Sequence, residues 1–129
     1  MTTGILKTIQ EGLIFYTSDE ANVKDLSWHE HPTFSGVALK HLITAKNTDG
    51  KFSSHLVRVN SGCEIGEHIH EGKLELHEVL QGHGKCIIES KEVNYYGGIA
   101  AIIPSDIPHT VKAGEDDLYI LAKFIPALV

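Results

Sequence analysis

The segment "GCEIGEHIHEGKLELHEVLQG", Gly62 to Gly82, gathers His68, His70, Glu75, His77 and Glu78 with apolar residues between them. Imidazole nitrogens and carboxylate oxygens suit a divalent transition metal such as Zn, Fe, Mn, Ni or Co, with bonds of roughly 2.0–2.2 Å for zinc. Successive side chains of a strand point to opposite faces, so His68 and His70 flank Ile69 and reach one point in space. A turn at Glu71 to Lys73 then returns the chain as "LELHEVL", where Glu75, His77 and Val79 share one face and Leu76, Glu78 and Leu80 the other. Glu75 thereby comes back beside the histidine pair. A carboxylate taken out of water needs a positive partner, and a divalent cation supplies one. The later segment "GIAAIIPSDIPHTV" offers a further ligand in His109, after Pro104 and Pro108, which fix the loop before the next strand.

Strands must position these groups, and the punctuation of the chain supplies them. Turn signals recur at "NTDG", "NSG", "QGHG", "YYGG", "PSDIP" and "AGEDD", with runs of strand character between them such as "FSSHLVRV", "KCIIES", "GIAAIIP" and "LYILAKF". Many short strands at this spacing predict an all-β sandwich, jelly roll or barrel. Period two orients two of the runs. His55, Val57 and Val59 share an inward face against Leu56, Arg58 and Asn60, and Leu118, Ile120, Ala122 and Phe124 share another. Thr17 to Thr33 carries charges and Pro32 without a firm period, and reads as a loop or a short helix.

At 129 residues the chain fits one domain with enough apolar side chains to fold without a metal, so a chelated form is expected to stay folded. No segment approaches the roughly 18–20 apolar residues of a membrane span. The start "MTTGILKTIQEGL" lacks an export or organelle signal, making the cytoplasm the expected location. Without a secretory context, Cys63 and Cys86 are expected as free thiols. A formal charge of −6 and the absence of a basic cluster argue against a nucleic-acid partner.

Two motifs carry a family resemblance. Gly62, His68, His70, Glu75 and Gly82 are spaced like the first motif of the cupins, and Gly98, Pro104, Asp106 and His109 resemble the second. The resemblance implies a small single-domain cupin: an all-β, cupin-type jelly-roll β-barrel, or double-stranded β-helix. It further implies that His68, His70, Glu75 and His109 are the metal ligands, holding one divalent transition metal per chain. Asp106 stands where the second motif often has glycine, and Ala113 where it often has asparagine; neither is a ligand position. Residues 36–129 are expected to form the barrel, with residues 1–35 packing on it or exchanged between barrels. Open strand edges make a homodimer the expected assembly.

Other histidines have blander readings. His55 is either a satisfied core histidine or a pocket residue, and His77 either lines the pocket or serves packing. "WHEHP", Trp28 to Pro32, holds a second His-x-His, but no matching acid or third histidine follows it, so a place at the pocket rim is a better reading than a metal. His41 lies on the face of Val37, Leu39 and Ile43 and reads as core, and Tyr95 and Tyr96 as packing at a barrel end.

Three histidines and a carboxylate leave coordination positions for a small oxygenated molecule, with His77 or His55 as a proton-transfer partner. The expected function is a metal-dependent enzyme of isomerase, lyase or dioxygenase type, acting on a sugar acid, keto acid or diketone. The alternative is a non-catalytic module that binds or senses a small ligand through its metal. Convergent polar groups around the ligands favour the enzyme, and a purely apolar lining favours the binder.

Overall fold

Leu118, Ile120, Ala122 and Phe124 alternate with polar or larger residues, and all four are buried to 3% exposure or less. They belong to the strand around which the domain is organised. A computed structural model describes residues 4–129; residues 1–3, where the segment read for an export signal begins, lie outside the described residues. The elements are α1 (Ile5–Gln10), β1 (Leu13–Phe15), β2 (Glu20–Asn22), a 3-10 turn (Val23–Asp25), β3 (Trp28–Glu30), β4 (Val37–Ile43), α2 (Ala45–Thr48), β5 (Ser53–Val59), β6 (Glu64–His68), β7 (Leu74–Gln81), β8 (His83–Ile88), β9 (Lys91–Tyr96), β10 (Ala100–Ile103), β11 (His109–Ala113) and β12 (Leu118–Ile125).

A six-stranded sheet runs β10-β7-β12-β5-β4-β3, and a four-stranded sheet runs β6-β11-β8-β9. Every pairing is antiparallel. The inner faces meet over one core in which Val57, Val79 and Ile120 of the larger sheet pack with Cys86, Tyr95 and Val111 of the smaller. This is the all-β jelly roll that the strand spacing predicts.

The outer face of the larger sheet departs from the simple alternation. Leu56 is fully buried although Val57 and Val59 occupy the inner face. The N-terminal segment explains it: Leu6 of α1 and Val23 cover Leu42 and Leu56 in a second cluster. The six-residue α1 is too short to persist alone and owes its form to this contact. Lys40 is buried here too, with its ammonium donating to Val23 O at 3.0 Å and lying 5.2 Å from the Trp28 ring centre.

The segment from Thr17 to Thr33, expected as a loop or short helix, holds β2, the 3-10 turn and β3. Each of these strands has three residues, too few to display a period, and β3 exists because its backbone extends the sheet beside β4. Both cysteines are free thiols. Among the described residues no helix is long and apolar enough to cross a membrane.

Candidate metal centre

The two sheets bring their histidines together at one end of the sandwich. His68 is the last residue of β6 and pairs with His109, the first of β11. His70 lies just beyond β6, yet the alternation expected of a strand persists. Ile69 is 51% exposed, while the His68 and His70 rings lie 4.8 Å apart. Glu75 enters from the facing sheet on β7, where its neighbours in register are Ile103 of β10 and Phe124 of β12. The ligand atoms of His68, His70 and His109 all lie within 4.8 Å of one another.

Backbone contacts fix the histidine tautomers. His68 Nδ1 lies 2.7 Å from Gly66 O, and His109 Nδ1 lies 3.0 Å from Ile107 O. A carbonyl only accepts, so each Nδ1 carries the proton and each Nε2 presents a lone pair. Outer-sphere bonds of this kind orient metal-binding histidines. Asp106 joins the loop after His70 to the loop before His109. It adopts a positive φ of 66°, which suits the glycine often found there, and its carboxylate accepts from Gly72 N at 3.0 Å.

Glu75 is 4% exposed. Its Oε2 lies 2.6 Å from His77 Nε2, whereas Oε1 faces His109 Nε2 at 3.1 Å and His70 Nε2 at 3.9 Å. Oε1 and His109 Nε2 are buried and lack the alignment of a hydrogen bond, so both are unpartnered. With a neutral His109, two lone pairs confront one another in a dry place, an arrangement that costs free energy until a proton or a metal cation enters. Donors held by one ion at roughly 2.1 Å sit about 3.0–3.4 Å apart at right or tetrahedral angles. The Glu75–His109 separation of 3.1 Å falls in that span. His68, His70 and His109 thus fit a divalent transition metal in donor type and spacing, while Glu75 lies beside His109 and His70 but outside that group of three.

The electrostatics keep His68 and His70 available as neutral donors, while Glu75 and His109 favour each other's charged forms. Burial pushes the His70 imidazole down to about 4 against the pull of Glu75, and burial also lowers His68, so both are neutral near pH 7. Burial alone would raise Glu75, but His77 and His109 outweigh it and hold the carboxyl well below its usual range. For His109, burial lowers the pKa but contact with Glu75 dominates and raises it.

A cavity of about 70 Å³ adjoins these groups. Leu39, Val57, Ile65, Ile120, Phe124 and Leu128 supply apolar wall, with neither lysine nor arginine in the lining. His31 also lines it. Its Nδ1 accepts from the backbone N–H groups of Thr33 and Phe34 at 3.0 and 3.2 Å, so the neutral ring carries its proton on Nε2. His29, the other half of that His-x-His, is exposed and instead stacks on His41 at 4.8 Å. The pair does not converge on one point. Leu128 reaches the cavity because its N–H donates to Ser53 Oγ at 2.8 Å, while Ala45 N donates to Val129 O at 2.7 Å. No sequence motif marks this C-terminal tail.

The two histidines expected to transfer protons are placed differently from one another. His77 lines the cavity, but both its nitrogens are engaged, Nε2 by Glu75 and Nδ1 by the Tyr95 hydroxyl at 2.8 Å. Tyr95, read as barrel-end packing, is instead 1% exposed and part of the site, whereas Tyr96 is 49% exposed. His55 points inward as expected, yet it does not line the cavity. It is fully buried and bonded to His41 Nδ1 at 2.8 Å and Ser53 Oγ at 2.7 Å, with the Phe124 ring edge-on to it and to His70. His41 is correspondingly half-buried and hydrogen-bonded rather than packed as an apolar core residue.

Two antiparallel sheets with a histidine cluster at one end define a jelly-roll protein with a candidate metal centre. A family profile described as the Cupin domain matches residues 55–122, and the chain belongs to that family. Similar crystal structures include a predicted oxalate decarboxylase from Thermotoga maritima, 24% identical with a TM-score of 0.73, covering 80% of this chain and 95% of that one. KdgF from Halomonas sp. is 20% identical with a TM-score of 0.70 and coverage of 80% and 88%. An RmlC-like cupin from Shewanella frigidimarina is 14% identical with a TM-score of 0.71 and coverage of 84% and 90%. At these identities the likeness is one of fold. No curated protein matches the chain significantly.

Proposed function

We propose that His68, His70, His109 and Glu75 hold one divalent transition-metal ion, and that the protein is a metal-dependent enzyme acting on a small oxygenated molecule. The observation that carries this reading is the buried, unpartnered pair Glu75 Oε1 and His109 Nε2, 3.1 Å apart. When bound, such an ion polarises a carbonyl or enediol oxygen or lowers the pKa of a water. The fold is shared with proteins whose names include a predicted oxalate decarboxylase and a polyketide cyclase, which is compatible with enzymatic chemistry without selecting a reaction.

The chain's own residues narrow the substrate class. The lining has no lysine or arginine to receive a free carboxylate, which weighs against a sugar acid and towards a small keto compound or diketone. Apolar walls from Val57, Ile120 and Phe124 exclude water around such a molecule. His31 Nε2–H is a donor for a second substrate oxygen, its tautomer set by Thr33 and Phe34. Replacing His31 by Phe is expected to weaken substrate binding about tenfold while leaving metal affinity unchanged.

A second reading, a non-catalytic module that binds its ligand through the metal, is favoured by the sparse polar lining, because His77 has no free nitrogen. Incubating metal-loaded protein with a panel of small uncharged ketones and diketones, followed by NMR, separates the two. Consumption of a compound supports the enzyme. Saturable line broadening without consumption across the panel supports the module, and neither response refutes both.

A further inference from the structure

Tyr95 sits on β9 of the smaller sheet and His77 on β7 of the larger, so their contact crosses the core. The Tyr95 ring stands nearly perpendicular to that of His77, at 82°, with its hydroxyl 2.8 Å from Nδ1. The far nitrogen of His77 lies 2.6 Å from Glu75 Oε2. An ionised carboxylate only accepts, so Nε2 must carry a proton there. The other ring nitrogen, Nδ1, is held by the phenol, so the ring is fixed at both ends. Tyr95, His77 and Glu75 therefore form one hydrogen-bonded chain that ends at Oε2.

We propose that Tyr95 and His77 are positioning residues that decide which oxygen of Glu75 meets the metal. Resting on the metal reading above, this assigns Oε2 to His77 and leaves Oε1 as the single oxygen offered beside His109 and His70. The geometry has the features such a role requires. All three side chains are buried, at 1% exposure for Tyr95, 3% for His77 and 4% for Glu75, so water does not compete for Oε2. The phenol belongs to the buried core cluster, next to Cys86, and burial raises its pKa, which keeps it protonated. Without the phenol nothing holds the ring at Nδ1, and it is free to turn away from Oε2. Oε2 then loses its donor, and the carboxylate can turn both oxygens towards the cluster.

This differs from a packing role in its consequences. Packing alone would lower the melting temperature of Tyr95→Phe and leave the metal site as it was. Positioning changes the metal site itself. The test is titration of metal-free protein with Co(II), following the visible d–d bands, in wild type, Tyr95→Phe, His77→Leu and His77→Gln, with melting curves of each apo form. His77→Gln retains an amide donor towards Oε2 and serves as the conservative rescue. Tyr95→Phe and His77→Leu are expected to weaken Co(II) binding by about tenfold to a hundredfold with altered band intensity, and His77→Gln to recover most of the loss. Wild-type affinity and spectrum in a folded Tyr95→Phe, or in His77→Leu, would overturn the proposal alone. Failure of wild type to bind Co(II) would overturn the metal reading and this proposal together.

Discussion

Acidification tests the packing of His55 quantitatively. The ring is fully buried between His41 and Ser53, and burial reinforced by His41, with Glu75 pulling the other way, pushes its pKa down to about 4. In the unfolded chain the same imidazole titrates near 6.5. The unfolded state therefore binds the proton first, and stability falls as pH drops from about 6.5 to about 4, flattening below the folded value. The difference corresponds to roughly 3 kcal/mol when complete, of which about 2.5 kcal/mol is lost by pH 4.5. His70, His68, His41 and His31 are lowered in the same direction, so the wild-type slope alone does not isolate His55. A His55→Gln variant does, because its amide can keep one bond to Ser53 or His41 without titrating. Urea unfolding of the metal-free proteins, followed by the fluorescence of the single Trp28, would be measured from pH 7.5 to 4.5. Wild type should lose about 2.5 kcal/mol more than the variant over that interval. Equal losses would refute the account of His55 as a neutral, desolvated core histidine.

Three further outcomes follow from the structure. Glu75→Gln keeps an acceptor but removes the charge, and should weaken metal binding on the order of a hundredfold by calorimetric titration. Chelation should leave a cooperative melting transition, since the Val57–Ile120–Val111 core is independent of the ion, and metal at a hundred times its Kd should add about 2.7 kcal/mol; a non-cooperative apo protein would contradict this. Gly82→Ala should destabilise by about 2 kcal/mol or more in chemical unfolding, because φ is +95° and a Cβ would stand 2.2 Å from Asp117 O.

The nearness of His68, His70 and Glu75 was legible because period two and short turns act locally. His68 and His70 needed only alternation, and Glu75 only the turn that returns β7 beside them. The rest of the site depends on contacts that span the fold. Tyr95 reaches His77 across the core from the opposite sheet, and Leu128 reaches the cavity through Ser53, 75 residues earlier. No local pattern encodes either. Asp106 was visible as a departure from glycine, but its positive φ and its bond to Gly72 required the loops in space. Leu56 was read on a mixed outer face because its cover, α1, carries no long apolar period. The inward direction of His55 was readable from alternation, whereas its isolation by Phe124 was not.

Whether three histidines and Glu75 hold one metal ion can be measured on the protein as isolated. Elemental analysis of protein purified without chelators or metal-affinity resin, beside a folded His109→Ala variant, tests it most directly. The account predicts close to one divalent transition-metal ion per wild-type chain and loss of that metal in the variant. A metal-free wild type, or undiminished metal in His109→Ala, would contradict it.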